Sequence, residues 1–186
     1  MPKQIDQAKI LIIATDGYEY SELTGPRDIL EERGATVHVA SPDSDPITGE
    51  SGGKTQGTVT PDMVLSQAKA EDYDALLLPG GQVNPDSLRI NDEAIALINA
   101  FAEQDKPIAA ICHAPWLLIE AELVDGRRVT SWPSLRTDLR NAGGTVVDEE
   151  AVVDGNIVTA RNPDDIPAFT DAFIGLIEKA TAAQPA

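Results

Sequence analysis

Cysteine occurs once in these 186 residues and histidine twice. A single thiol cannot close an internal disulfide, so the fold does not depend on an oxidising compartment. One cysteine and two histidines are also poor material for a zinc site, and neither a metal nor a cofactor is expected. Aromatic residues make up only 4%, which leaves the core to Ala, Val, Ile and Leu. Basic residues are few: 14 Lys and Arg stand against 31 Asp and Glu, for a net charge of −17. A surface of that sign repels phosphate backbones and anionic bilayers, so neither nucleic-acid nor membrane binding is expected. No apolar run approaches the ~20 residues of a membrane helix. Residues 1–8 carry charges without a signal-type apolar stretch, and a cytoplasmic location is the default expectation.

What is there suits one soluble α/β domain over residues 1–186, with its core at about 8–180 and short flexible termini. Residues 9–14 (KILIIA) read as a buried strand, 23–33 as a helix closed by Arg33 and Gly34, and 36–40 (TVHVA) as a second strand. That is a βαβ unit, whose right-handed crossover implies parallel pairing. Residues 43–57, rich in Pro, Gly, Ser and Asp, read as loop or irregular hairpin. Strands follow at 74–78 and 107–111, helices at 92–103, 116–121 and 135–141. Short strands are expected at 145–147, 151–153 and 157–160, the last two joined by an Asp154-Gly155 turn. A helix over 163–183 carries Ile166, Phe169, Phe173, Ile174 and Ile177 as its apolar stripe. Alternating strands and helices predict a mostly parallel sheet covered on both faces. Ligands of such sheets bind beyond the carboxyl ends of the strands. Three segments fall there: residues 16–22, Gly80 with Gly81, and Cys112 with His113.

The strand PIAAI at 107–111 runs straight into Cys112, His113, Ala114 and Pro115. Pro115 suits a first helical turn, so Cys112 is expected at a strand-to-helix elbow near a helix N-terminus. Unpaired N–H groups there favour thiolate over thiol. The bland alternative is a small buried hydrophobe; the adjacent histidine argues against it. His113 can act as general base or as a positive neighbour of the thiol. His38, between Val37 and Val39 on a strand, reads as structural. Glu19 lies where the chain leaves the first strand. A carboxyl from this segment would donate a hydrogen bond to the thiolate if protonated, and repel it if ionised. Equally, Glu19 and Glu22 are ordinary acids of a helical first turn. The amides of Gly81 and His113 could form an oxyanion hole, or Pro79-Gly80-Gly81 is a plain tight turn.

Four strings carry a wider resemblance: YEYSEL at 18–23, LPGG at 78–81, AICHAPW at 110–116 and VTSWPSLRTDL at 129–139. With residues 148–150 and the hairpin at 153–156, they resemble the PfpI family of the class I glutamine-amidotransferase-like superfamily, over residues 8–179. The resemblance implies a flavodoxin-like three-layer sandwich with a mostly parallel sheet and a strand-to-helix nucleophile elbow. It implies Cys112 as nucleophile, Glu19 as its supporting acid and His113 as its catalytic partner. In protease-type members a third acid comes from a neighbouring subunit; the matching position is Asp86, one methylene shorter than the family's Glu. A homo-oligomer, dimer or higher, is implied in the same way.

Members of this family are described as peptidases, glyoxalases, deglycases and stress proteins, all starting from a thiolate and an electrophilic carbonyl. The leading expectation is a cofactor-independent stress-response enzyme acting on small reactive carbonyls. The nearest rival is a cysteine peptidase with an intersubunit Cys112, His113 and Asp86 site, acting on peptides. A third reading, from another class, is a redox sensor or holdase working through Cys112 oxidation.

Overall fold

The computed structural model describes residues 4–182, with side chains through Ala180. The helix end expected at residue 183, and the outermost termini, lie outside the described residues. The strands are β1 (Lys9–Ile13), β2 (Tyr18–Glu19), β3 (Thr36–Ser41), β4 (Ile47–Ser51), β5 (Lys54–Val59), β6 (Met63–Val64), β7 (Ala75–Leu78), β8 (Ile108–Ile111), β9 (Arg128–Val129), β10 (Thr145–Val146), β11 (Val152–Asp154) and β12 (Ile157–Ala160). The helices are α1 (Tyr20–Glu32), α2 (Val83–Leu88), α3 (Asp92–Glu103), α4 (Pro115–Glu120), α5 (Arg136–Asn141) and α6 (Ile166–Ala182).

Seven strands form the main sheet in the order β11-β12-β8-β7-β1-β3-β6. Only β11 runs antiparallel, against β12 through the Asp154-Gly155 turn. The three central strands β8, β7 and β1 are short apolar runs buried on nearly every residue. A parallel strand covered on both faces has no solvent side to mark with polar residues. Alternate residues of β1 serve opposite layers. Ile10 and Ile12 join Phe169, Phe173 and Ile177 of α6 and Leu23 and Leu30 of α1. Leu11 and Ile13 join Leu97, Ile98 and Phe101 of α3 and Leu117 of α4. The result is the three-layer α/β sandwich expected.

Of the two readings open for residues 43–57, the structure takes the irregular hairpin: β4 pairs antiparallel with β5, bulged between Gly49 and Glu50 and reaching on to Val59, and β4 also pairs parallel with β2. Its glycines admit the rings of Tyr18 and Tyr20, since a Cβ on Gly49 or Gly57 would meet those rings within 3 Å. Other elements depart from expectation. The strand at β10 joins β9 in a separate small sheet. Helix α2, unanticipated, follows the Gly80-Gly81 turn.

The chain runs from β1 out to β3 and β6, then returns to β7 on the other side of β1. Such a reversal opens a crevice at the carboxyl ends of the two central strands. The loops after β1, β7 and β8 meet there. No described helix is long and apolar enough to cross a membrane.

Candidate active site

Cys112 directly follows β8 and precedes α4, with φ +64. A non-glycine residue in that region is strained and persists only where its surroundings dictate it. Here the backbone is held on both sides: Cys112 N–H donates to Ala160 O at 3.0 Å, and Cys112 O accepts from Trp132 N–H at 2.9 Å. The turn lifts the sulfur out of the sheet to the floor of a cavity of about 260 Å³. Glu19, Glu22, Gly81, Gln82, His113 and Trp132 are among its other lining residues. Cys112 itself remains only 6% exposed.

Both groups that could act on the thiol are beside it. His113 Nδ1 lies 3.1 Å from Sγ, so the elbow does turn these adjacent side chains toward each other. The imidazole is stacked on Trp132 at 5.8 Å and meets Trp116 edge-on at 5.3 Å. Its Nε2 stands a long 3.5 Å from Ser134 Oγ. Burial lowers the His113 pKa, which keeps the ring neutral at neutral pH. A proton on Nε2, toward Ser134, leaves Nδ1 free to accept from the thiol.

The carboxyl at the sulfur is Glu22, not Glu19. Glu22 lies on the first turn of α1, fully buried. Its Oε2 accepts from Gly80 N–H at 3.0 Å, and the carboxyl hydrogen-bonds the Cys112 side chain. Glu19 sits one turn earlier at the cavity rim, half-buried, where its Oε1 accepts from Ser21 Oγ at 3.2 Å. The helical period explains the exchange: three residues on, Glu22 points inward with Leu23 and Pro26, whereas Glu19 still belongs to β2. Burial, then the charge of Glu19, pushes the Glu22 pKa up to about 8, partly offset by hydrogen bonds from Cys112, Gly80 and Gly81. Glu22 is therefore protonated at neutral pH, with Oε1 making no hydrogen bond to nitrogen or oxygen.

The expectation of a simply depressed thiol pKa needs correction. Burial pushes the Cys112 pKa up, and an ionised Glu22 pushes it further. The N–H groups of Gly81 and His113 beside the sulfur act in the opposite sense. Once Glu22 holds its proton its repulsion vanishes, and its O–H becomes a donor to sulfur. An elbow alone predicts the two amides; it does not predict the burial.

Gly81, the expected oxyanion donor, has φ +81. A Cβ there would collide with Gly17 O, Glu19 N and Tyr18 C, and one on Gly80 would collide with Glu22 and with Cys112 Cβ. Only glycine lets β2, α1 and the elbow close around this turn. Asp86 is elsewhere: it is exposed on α2, does not line the cavity, and has no hydrogen bond to His113 among the described residues. His38 is structural as expected, its Nδ1 2.9 Å from Tyr73 Oη. Reasoning from sequence missed Trp132, Ser134 and Glu22 as site residues. The adjacency of Trp132 and Ser134 in one string was visible; its fold-back onto His113 was not.

A model of the DJ-1/PfpI family matches residues 8–176. General stress protein 18 of Bacillus subtilis is 42% identical, over 92% of this chain and 98% of its own length. Deglycase TK1284 of Thermococcus kodakarensis is 40% identical, over 91% of this chain and 99% of its own length. The crystal structure of Drosophila melanogaster DJ-1beta superposes with a TM-score of 0.82 at 27% identity, covering 94% of this chain and 96% of that one.

Proposed function

The chain belongs to the DJ-1/PfpI family, and on that premise we propose that it is a stress-related thiol enzyme acting on small reactive carbonyls or their adducts. The observation that carries this reading is a strained Cys112 at the floor of a small cavity, hydrogen-bonded to both a neutral imidazole and a protonated carboxyl. A cavity of about 260 Å³ fits a compound of a few heavy atoms better than a folded polypeptide. The names of two relatives, a deglycase and a general stress protein, point the same way.

In this reading Sγ attacks the aldehyde carbon of a dicarbonyl while the thiol proton passes to His113 Nδ1. The amides of Gly81 and His113 surround the reacting atoms and stabilise the oxyanion as it forms. Proton transfer from the hemithioacetal carbon to the neighbouring carbonyl carbon, relayed by His113 or Glu22, leaves a thioester of a 2-hydroxy acid. Water releases the acid and restores the thiol, so atoms and electrons balance without an external oxidant or reductant. Methylglyoxal is the direct probe: purified protein is expected to form lactate, and Cys112→Ser to reduce the rate at least 10³-fold, of the order expected for loss of a nucleophile. Equal activity in the variant, or no lactate from the wild type, would remove the reading.

One observation favours a second reading. Among the described residues the Nε2 side of His113 has only the long contact to Ser134, a position an acid from a second subunit would suit. If Asp86 of a neighbour fills it, the site becomes that of a peptidase. A monomer in solution that cleaves no peptide rules this out.

A further inference from the structure

We propose that Asn84 is the positioning residue of this site, holding two consecutive peptide planes so that their N–H groups aim at Glu22 and Cys112. Asn84 lies in the first turn of α2 and is fully buried, although nothing in the proposed chemistry uses it. Its Oδ1 accepts from Thr15 N–H at 2.8 Å. Its Nδ2 donates to Pro79 O at 2.9 Å and to Gly80 O at 3.1 Å. One N–H and two carbonyls around one amide leave no doubt which end is nitrogen.

The consequence follows from peptide geometry. In a trans peptide the C=O and the N–H point in opposite directions, and the described chain has no cis bonds. The carbonyl of Pro79 shares its plane with the N–H of Gly80, which donates to Glu22 Oε2 at 3.0 Å. The carbonyl of Gly80 shares its plane with the N–H of Gly81, which faces Cys112 and Glu22 and lowers the pKa of both. Both carbonyls are drawn to the same Nδ2 group, so both N–H groups face the site. A turn of two glycines has little conformational preference of its own; the side chain of Asn84 supplies it. Glu19 N–H, 3.2 Å from Gly80 O, assists on the second plane only. Through Thr15 the same amide ties the loop after β1, which leads to Glu22, to the loop after β7. The inference rests on Cys112 as the reacting atom, but not on the identity of its substrate.

The test uses full-length protein and no carbonyl compound. Asn84→Asp keeps the volume and the acceptor for Thr15 but removes both donors when ionised; Asn84→Ala removes all three bonds and keeps a helix-compatible residue, so it decides alone if the Asp variant does not fold. Cys112 alkylation by iodoacetamide is measured across pH, with thermal unfolding and the amide resonances of Gly80 and Gly81 in parallel. The expected result is a thiol titration moved up by about one unit, hence alkylation about tenfold slower at neutral pH, with both glycine resonances displaced. A lowered Tm with an alkylation profile on the wild-type curve would overturn the proposal and leave Asn84 a purely structural residue. Because iodoacetamide reports on the thiol alone, a wild type inert to methylglyoxal would sink the proposed reaction without touching this result.

Discussion

At the scale of single residues, the site turns on which carboxyl meets the sulfur. Glu22 does, and its proton decides whether it helps or hinders. Replacing it with Gln keeps a neutral donor; replacing it with Leu keeps volume but no donor. Glu22→Gln should therefore retain Cys112 alkylation at neutral pH within a few fold, whereas Glu22→Leu should slow it about tenfold, the effect of one charge-assisted hydrogen bond. Equal rates in the two variants would show that burial and the amides control the thiol without the acid. Glu22 also imprints a pH dependence on stability. Its pKa rises from an ordinary 4.5 to about 8 on folding. Between those values the unfolded chain has released a proton that the fold still holds. This contribution is complete below about 4.5, declines as pH rises to about 8, and is level beyond. Thermal unfolding across that window should show a steeper fall in Tm for the wild type than for Glu22→Gln.

At the scale of elements, the site exists because three loop ends approach more closely than side chains would allow. The turn after β7 is the tightest point, with Gly81 at φ +81 against the backbone of Gly17, Tyr18 and Glu19. Ala at Gly81 adds both a conformational penalty and a collision with backbone that cannot swing aside. Gly81→Ala should lower Tm by several degrees and reduce Cys112 reactivity more than tenfold, since β2 or the turn must move. Reactivity and Tm matching the wild type would mean that the loop yields at no cost. The elbow after β8 was legible because a proline in the first turn of α4 marks where the strand stops. The hairpin of β4 and β5 was legible only as one of two alternatives, and its pairing with β2 was not, because the rings of Tyr18 and Tyr20 that lie against Gly49 and Gly57 are distant in sequence.

At the scale of the whole molecule, the excess of 31 acids over 14 bases leaves a net charge of −17 that repels itself in the compact state. Favourable clusters exist, such as Arg161 and Arg136 on either side of Asp148, with Asp165 buried beneath Arg161. They are too few to offset a charge of this size. Raising KCl from about 0.05 M to about 1 M shortens the screening length to about 3 Å and should raise Tm; a fall would show that the ion pairs outweigh the repulsion. Layering, the mostly parallel sheet and the position of the elbow follow from the chain's own pattern, whereas the strand order comes from the fold. Parallel strands buried on both faces read as short apolar runs, and Pro115 in the first turn of α4 marks where β8 gives way to helix. The composition of the site does not follow from that pattern. Whether Glu19 or Glu22 faces the thiol depends on the residue at which β2 gives way to α1. Whether two glycines aim their N–H groups inward depends on Asn84. The burial that raises the thiol pKa comes from packing by segments distant in sequence, among them those of Glu22, Gly81 and Trp132. Local pattern records which face of an element is apolar, and only the folded chain decides which polar groups share the space where those faces end.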